Sequence, residues 1–258
     1  MDTAIAMSPA RIARAWLVEA KYEFLRLLRT PSFALPTILF PSLFYLLFGV
    51  LLNGGAHHGG MDMASYMLAG YSAFGVMAPG LFGFGVVVAM EREHGLLTLK
   101  RALPMPPGAY LFAKMLMAML FAAIVVCLLM LLAVTLGHVR MPLGNWSALL
   151  ITDVLGVLPF CAIGLFVGTL VGGQGAPAVV NLIYLPMSFL SGLWIPLPLL
   201  PKFLQQLAPL WPATHLGQIA FSASGAGGDH RVAMHAMVLA GFTLFFFAIA
   251  RRRLRRAG

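Results

Sequence analysis

Long apolar runs separated by short polar stretches dominate the pattern of hydrophobic and polar positions along the chain. Each run is close to the roughly 20 apolar residues that a helix needs to cross a bilayer. Prolines inside several runs are tolerated, because neighbouring helices satisfy the backbone groups that a proline frees. The pattern predicts an all-α membrane protein with six transmembrane helices. The six runs lie at about 32–52, 66–89, 109–136, 148–171, 177–195 and 232–250.

The segment before the first run has a different pattern. Residues 8–30 carry apolar side chains at four-residue steps, whereas the basic side chains lie mostly on other faces. The segment is too polar to cross a membrane, so it predicts an interfacial amphipathic helix within an N-terminal segment 1–31. The helix either anchors the chain at the bilayer or also contacts a partner. The stepped apolar residues are Ile12, Trp16, Ala20, Phe24 and Leu28.

Composition agrees with a membrane protein. The 258 residues are 60% hydrophobic and 10% charged, and the mean hydropathy is +0.91, whereas soluble domains carry about 25% charged residues. A net charge of +9 would favour nucleic-acid binding in a soluble protein. Here the basic residues flank apolar runs, so we expect no nucleic-acid partner. Cys127 and Cys161 both lie in apolar runs and are expected to pack as small hydrophobic residues.

The basic residues are distributed unevenly among the loops. With both termini inside, fourteen of the seventeen Lys and Arg residues fall on the cytoplasmic side and three on the outer side. The positive-inside rule therefore predicts that both termini are cytoplasmic. The cytoplasmic regions are the segment 1–31, the loop 90–108 and the basic tail 251–258.

The loop 90–108 interrupts the apolar pattern with charge, glycine and proline. Glu91, Arg92 and Glu93 stand together, Gly95 follows them, and prolines at 104, 106 and 107 stop any helix. The leucines between these features predict a short amphipathic helix at the cytoplasmic surface. The residues alone leave two readings open. The loop is either a passive interfacial connection or a docking element whose charges contact a soluble partner.

Two motifs resemble a known family. EREHGLLTLKRALPMPP, at 91–107, resembles the E-R-E-x-G-T-L-x-x-L-x-x-x-P region of ABC-2 type transporter permeases. FLSGLWIPLPLLPKFLQQLAPLWPATHLGQIA, at 189–220, is similar to that family's F-L-S-G pattern with its proline-rich outer segment. Leu96 and Trp211 depart from the family pattern, since threonine and asparagine are common at these positions.

The resemblance implies a permease subunit of a bacterial ABC exporter, in the cytoplasmic (inner) membrane, that moves an amphipathic or hydrophobic substrate outward. The loop 90–108 would be a coupling helix seated in a separate ATPase subunit, with Glu91, Arg92, Glu93 and Gly95 as the coupling residues. The segment 196–220 would form short re-entrant helices on the outer side. A second permease chain, most simply an identical one, would complete the assembly.

The sequence contains no G-x-x-x-x-G-K-[ST] phosphate-binding loop. We therefore expect that this chain is not itself an enzyme, binds no cofactor directly, and depends on ATP used by the partner subunit.

Two other classes of protein stay open as alternatives. An ion-coupled secondary transporter would show inverted repeats and several ionisable groups within the membrane, and a non-transporting membrane scaffold is the third possibility. Asp153 is the only acidic residue well inside an apolar run. With Asn181, it is a candidate for the substrate path, the alternative being a local structural hydrogen bond near the outer end of the fourth span.

Glycine spacing and one histidine-rich loop suggest further features. Gly164, Gly168 and Gly172 recur every four residues and predict close helix packing, either within the chain or between two permease chains. Gly70, Gly75, Gly80 and Gly85 recur every five residues, do not share one face of an α-helix, and are interpreted as scattered flexibility. The loop 54–63 carries His57, His58, Met61, Asp62 and Met63, which include side-chain types that suit copper. It lacks a defined geometry, so we predict a flexible solvated loop and no metal site.

Overall fold

The computed structural model describes residues 9–52, 57–58, 61–97, 99 and 108–256. Apart from one antiparallel pair of two-residue strands, the regular elements in these residues are helices, which confirms the all-α membrane fold. The α-helices are α1 (Pro9–Leu28), α2 (Pro31–Phe44), α3 (Met63–Ala78), α4 (Val87–Glu93), α5 (Ala109–Thr135), α6 (Leu143–Gly156), α7 (Leu158–Leu170), α8 (Ala176–Leu190), α9 (Lys202–Leu207), α10 (Pro212–Ser224) and α11 (Val232–Arg256).

The remaining regular elements are short. Two π-helical segments, Tyr45–Leu51 and Pro79–Val86, extend α2 and join α3 to α4. Two 3₁₀ turns, Leu197–Leu199 and Ala208–Leu210, flank α9. The strands His57–His58 and Met61–Asp62 pair with each other. The predicted metal-free loop 54–63 lies partly outside the described residues, and its histidine side chains lie wholly outside them.

Five helical stretches of the described chain are long and apolar enough to cross a membrane. They are Pro31–Leu51, Met63–Glu93, Ala109–Thr135, Leu143–Leu170 and Val232–Leu254.

The fifth predicted span, 177–195, is the shorter apolar helix α8, which ends at Leu190. The chain turns at Gly192, whose φ of 78° suits a residue without a Cβ atom. The helix therefore stops five residues before the predicted end of this span.

The final helix is longer than the apolar pattern predicts. It continues to Arg256, so the basic residues that follow position 250 extend α11 rather than form a separate tail.

The stretch Met63–Glu93 forms the centre of the bundle. Almost every residue of α3 and of the following π-helical segment is buried, which explains why this run is apolar on all sides. α2, α5, α6 and α10 pack around α3, and α7 packs along the π-helical segment.

The glycines of this central helix have a packing role, which corrects their interpretation as scattered flexibility. Gly80 and Gly85 lie in the π-helical segment, where i→i+5 hydrogen bonds bring residues five apart close to one face. A Cβ atom on Gly80 would approach Phe160 to 2.8 Å, and one on Gly85 would approach the Gly164 carbonyl oxygen to 2.5 Å. Gly164 and Gly168 face the same contact from α7, because their Cβ atoms would meet the carbonyl oxygens of Gly80 and Gly85.

The N-terminal helix α1 lies against α5. Trp16 contacts Phe112 with ring centroids 4.9 Å apart, and Phe24 contacts Phe121 at 5.2 Å. The buried face is rotated from the predicted one, since Leu28 is 39% exposed. Its buried members include Ala20, Glu23 and Leu27. The apolar pattern of α1 is thus used in large part for packing within the chain.

Candidate functional site: a buried charge cluster

The charged interruption begins as a helix and then turns at Gly95. α4 ends at Glu93, and Gly95 has a φ of 72° with open space around the position of a Cβ atom. Only glycine adopts this conformation without cost, so Gly95 fixes the place of the turn. Leu96, Leu97 and Leu99 are helical again. The rest of the predicted amphipathic helix, residues 98 and 100–107, lies outside the described residues.

Glu91 lies inside the protein. Its side chain is 4% exposed, and its carboxylate forms ion pairs with Arg26 at 2.7 Å and Lys114 at 3.2 Å. The Tyr110 hydroxyl donates a hydrogen bond of 2.5 Å to the same carboxylate. One residue of α4 is therefore joined to α1 and to α5.

A second carboxylate completes this arrangement. Glu23 of α1 is paired with Arg26 at 2.9 Å and with Lys114 at 3.1 Å. We call Glu23, Arg26, Glu91 and Lys114 the charge cluster. Its two acids and two bases balance, and the Lys114 ammonium also lies 5.0 Å from the centre of the Tyr110 ring.

The surroundings keep Arg26 charged. Burial alone lowers the pKa of the Arg26 guanidinium, but the Glu23 and Glu91 carboxylates raise the pKa by more, so it lies above its ordinary value. The Arg26 side chain is 43% exposed, whereas Lys114 is fully buried. Arg26 thus links the closed interior of the cluster to the surface at this end of the molecule.

Arg92 and Glu93 hold a different helix. Arg92 donates hydrogen bonds to the carbonyl oxygens of Thr169, at 2.6 Å, and Val171, at 2.9 Å. These carbonyls lie at the C-terminus of α7, where helix hydrogen bonding leaves acceptors free and a cation is favoured. Glu93 accepts a hydrogen bond from the backbone N–H of Gly173 in the next turn. The third predicted packing glycine, Gly172, lies beside the same carboxylate.

The three charges of the motif are therefore used within the chain. This corrects the expectation that Glu91 pairs directly with a partner subunit, because its carboxylate is buried and already paired. Apolar side chains are also exposed beside the turn: Met90 is 44% exposed, Leu96 41% and Leu99 60%.

A small cavity borders the charge cluster. It has a volume of about 250 Å³ and lies between Arg26 and Thr30 on one side and Met90, His94 and Leu96 on the other. Its lining includes His94 and Leu96, the residues on either side of Gly95, so the surface next to the turn is concave.

Asp153 and Asn181 have different surroundings. Asp153 lies in α6 and is fully buried, and its carboxylate oxygens accept no hydrogen bond from the described residues. The carboxylate is closed off from the surface of the chain, because α3 and α10 pack against α6. Asn181 lies on α8 and is exposed. Neither residue belongs to the charge cluster, and their place in a substrate path stays a prediction.

Sequence reasoning missed four members of this site, namely Glu23, Arg26, Tyr110 and Lys114. Lys114 is one of the fourteen basic residues assigned to the cytoplasmic side, but a lone lysine six residues into an apolar run is also a signal for a buried partner. Glu23 is spaced three residues from Ala20 and four from Leu27, which places it on the buried face of α1. Tyr110 carried no distinguishing signal, because tyrosine is common at membrane interfaces.

A second polar group at the far end of the molecule was also missed. His215 of α10 and His235 of α11 contact each other through their Nδ1 atoms at 2.7 Å, and His215 Nε2 lies 2.9 Å from the Pro209 carbonyl oxygen. Asp229 lies 3.5 Å from His235 and pairs with Arg231 at 2.8 Å. These contacts join α10 to α11.

Comparison with known proteins defines the class. The sequence profile described as ABC-2 type transporter matches residues 14–223. This is most of the chain, and it includes the charge cluster and both motifs. The chain belongs to the ABC-2 type transporter family, and it is a multi-pass membrane protein with the character of a transporter permease subunit.

Relatives within this class carry transport names. The chain is 22% identical over 176 residues to the putative transport permease YvfS of Bacillus subtilis, and the match covers 68% of this chain and 71% of that protein. It is 26% identical over 175 residues to the inner membrane transport permease YhhJ of Escherichia coli, covering 67% of this chain and 46% of the relative.

Proposed function

We propose that the chain is the permease subunit of an ABC exporter in the cytoplasmic membrane, driven by a separate ATPase subunit. Both termini and the loop 90–108 face the cytoplasm, and a second permease chain, most simply an identical copy, completes the path. The substrate is amphipathic or hydrophobic, and ATP is used by the partner. Family membership and the excess of basic residues at one end support this assignment.

The proposal rests mainly on the contacts that the three charged side chains of the E-R-E motif make within the chain. Glu91 ties α4 to α1 and α5, while Arg92 and Glu93 tie it to the end of α7. A push on the chain just after Gly95 therefore reaches three helices at once. Fixed ion pairs and hydrogen bonds transmit displacement better than a flexible loop, so this arrangement suits the input of mechanical work.

In this proposal the side chains around the turn at Gly95 make the contact with the ATPase subunit. His94, Leu96 and Leu99 are exposed there, and the cavity of about 250 Å³ beside them offers a place for a partner's side chain. Leu96 and Leu99 supply apolar area of the kind that forms the centre of a protein interface. In this account Glu91, Arg92 and Glu93 hold the docking surface in position, and Gly95 shapes it.

The test is purification of the tagged protein from cells in mild detergent, followed by identification of bound subunits and an ATPase assay. We expect an ATP-binding subunit to co-purify, and we expect Leu96→Asp with Leu99→Asp to remove it and lower ATPase activity at least tenfold. Leu210→Asp is the matched control, because Leu210 is 68% exposed at the other end of the molecule. Retention of the ATPase by the double variant, or transport that survives on an ion gradient without any ATPase, would overturn the proposal.

A further inference from the structure

A larger cavity lies at the opposite end of the central helix from the charge cluster. It has a volume of about 600 Å³ and lies between the end of the first span, the start of α3 and the segment after α8. We call it the aromatic pocket. Its wall includes Phe48, Met63, Tyr66, Tyr71, Phe189 and Trp194.

The wall of the aromatic pocket is apolar and rich in rings. Charged side chains are absent from its lining among the residues that the structure describes. The Tyr66 hydroxyl donates a hydrogen bond to the Gly192 carbonyl oxygen at 3.1 Å, so its polar end is already used. Such a pocket recognises a ligand through shape and ring contacts rather than through charge.

The rings are held in place by other rings behind them. Tyr66 stacks on Phe221 with centroids 4.3 Å apart and planes within 7°. Trp194 packs against Phe189 at 4.4 Å and against Phe74 at 5.0 Å. These contacts fix the aromatic surfaces before a ligand arrives, which lowers the entropic cost of binding.

Other parts of the wall can adapt. Met63 and Met67 contribute flexible thioether side chains, which adjust to ligands of different outline. Leu199, at the rim, is 73% exposed, and Phe189 is 42% exposed, so the pocket is open to the surface. A rigid ring surface beside flexible methionines suits a family of related ligands more than a single one.

We propose that the aromatic pocket binds the transported molecule on its way out, and that this molecule is a compact, ring-bearing, uncharged or weakly charged apolar compound. The inference rests on the proposed export function and specifies its substrate class. The volume lies within the range of sites that enclose drug-sized ligands. A single acyl chain has the same apolar chemistry but presents no ring to the aromatic surfaces, so it gains less from them.

Binding of N-phenyl-1-naphthylamine to the full-length protein in lipid nanodiscs tests this inference. We expect saturable binding with energy transfer from tryptophan. Phe189→Ala removes one ring face and is expected to weaken binding about tenfold, since ring contacts of this kind are worth up to about 1.5 kcal/mol. Leu199→Trp places a larger side chain at the exposed rim and is expected to block binding. Phe245→Ala is the matched control, because Phe245 is 60% exposed on α11 and is outside the pocket lining.

Competition separates the two apolar ligand sources. Displacement of the probe by anthracene, with no displacement by an equal concentration of palmitate, supports a ring-binding site. Displacement by palmitate at that concentration, binding that does not saturate, or equal binding by Phe189→Ala, Leu199→Trp and the control would overturn the inference. The binding assay needs no ATPase. If the pocket does not bind the probe but the ATPase subunit still co-purifies, only the proposed substrate class is wrong. If no ATPase subunit co-purifies, the binding experiment still shows whether the aromatic pocket takes a ring-bearing ligand.

Discussion

Lys114 holds a positive charge in the interior of a membrane protein, where an isolated ion is costly. Its ammonium is fully buried and lies 3.1 Å from Glu23 and 3.2 Å from Glu91. The lysine also stabilises the two buried carboxylates. Without it, the single positive charge of Arg26 would have to balance both negative charges. The charge cluster is thus a set of residues that are each tolerated only in the presence of the others.

We predict that Lys114→Met destabilises the folded protein by about 3–5 kcal/mol, because it leaves two buried carboxylates with only the Arg26 charge to balance them. Lys114→Met with Glu23→Gln restores charge balance and should recover much of that loss. Thermal unfolding in detergent, followed by circular dichroism or loss of monodisperse protein, measures both effects. Lys202→Met, on the short helix α9, is the control. Equal stability of the Lys114→Met and Lys202→Met variants would refute the mutual dependence.

Sequence reasoning at the residue scale singled out the E-R-E motif but expected Glu91 to face a partner, whereas its carboxylate is paired within the chain. Glu91, Arg92 and Glu93 stand out from the apolar runs, yet nothing in their spacing distinguishes a carboxylate that faces a partner from one that meets Arg26 and Lys114. The pairing partners lie 65 and 23 positions away in the sequence, so the contacts depend on how α1 and α5 pack.

Elements of this bundle are positioned by backbone contact as much as by side chains. Gly164 lies so close to the central helix that a Cβ atom would stand 2.7 Å from the Gly80 carbonyl oxygen. Small residues that allow such close approach are the means by which helices associate where the hydrophobic effect is weak. The contact fixes α7 against the central helix, which carries Glu91 of the charge cluster.

We predict that Gly164→Ala lowers the free energy of unfolding by about 1–3 kcal/mol, because the added methyl group forces two backbones apart. Gly241→Ala is the matched control: it also lies within a helix, α11, but has open space at the Cβ position. There the loss of glycine should be neutral or mildly stabilising. The yield and thermal stability of the two variants give the comparison. A Gly164→Ala variant as stable as Gly241→Ala would contradict close packing.

Periodicity predicted α7 packing but missed the central π-helical segment. The four-residue repeat of Gly164 and Gly168 matches an α-helical face, so their packing followed from a general rule. The five-residue spacing of Gly80 and Gly85 becomes a face only in a π-helix, which apolar composition does not signal. The helices themselves were predictable because hydropathy selects them wherever a bilayer must be crossed.

The whole molecule has two chemically different ends. The charge cluster, the turn at Gly95 and most basic residues lie at one end, and the aromatic pocket and the His215–His235 contact belong to the other. In the proposed orientation, work enters at the first end and substrate leaves at the second. The central helix Met63–Glu93 runs between them and contributes residues to both sites.

This orientation predicts which positions a membrane-impermeant maleimide reaches in intact cells. In a background without Cys127 and Cys161, Leu210→Cys should be labelled from outside. His94→Cys should be labelled only after the membrane is opened, because we assign it to the cytoplasmic end. Both positions are exposed in the structure, so access to the side chain is matched. Labelling of His94→Cys in sealed cells would reverse the orientation and remove the cytoplasmic assignment of the charge cluster.

The most direct test of the account is photo-crosslinking at the turn in living cells. With p-benzoyl-phenylalanine at position 96 or 99, we predict a crosslink to a protein that mass spectrometry identifies as an ATP-binding subunit. The same probe at position 210 should give none. Crosslinks to that subunit from position 210, or none from positions 96 and 99 in cells where transport is active, would contradict the claim that ATP-driven motion enters through this turn.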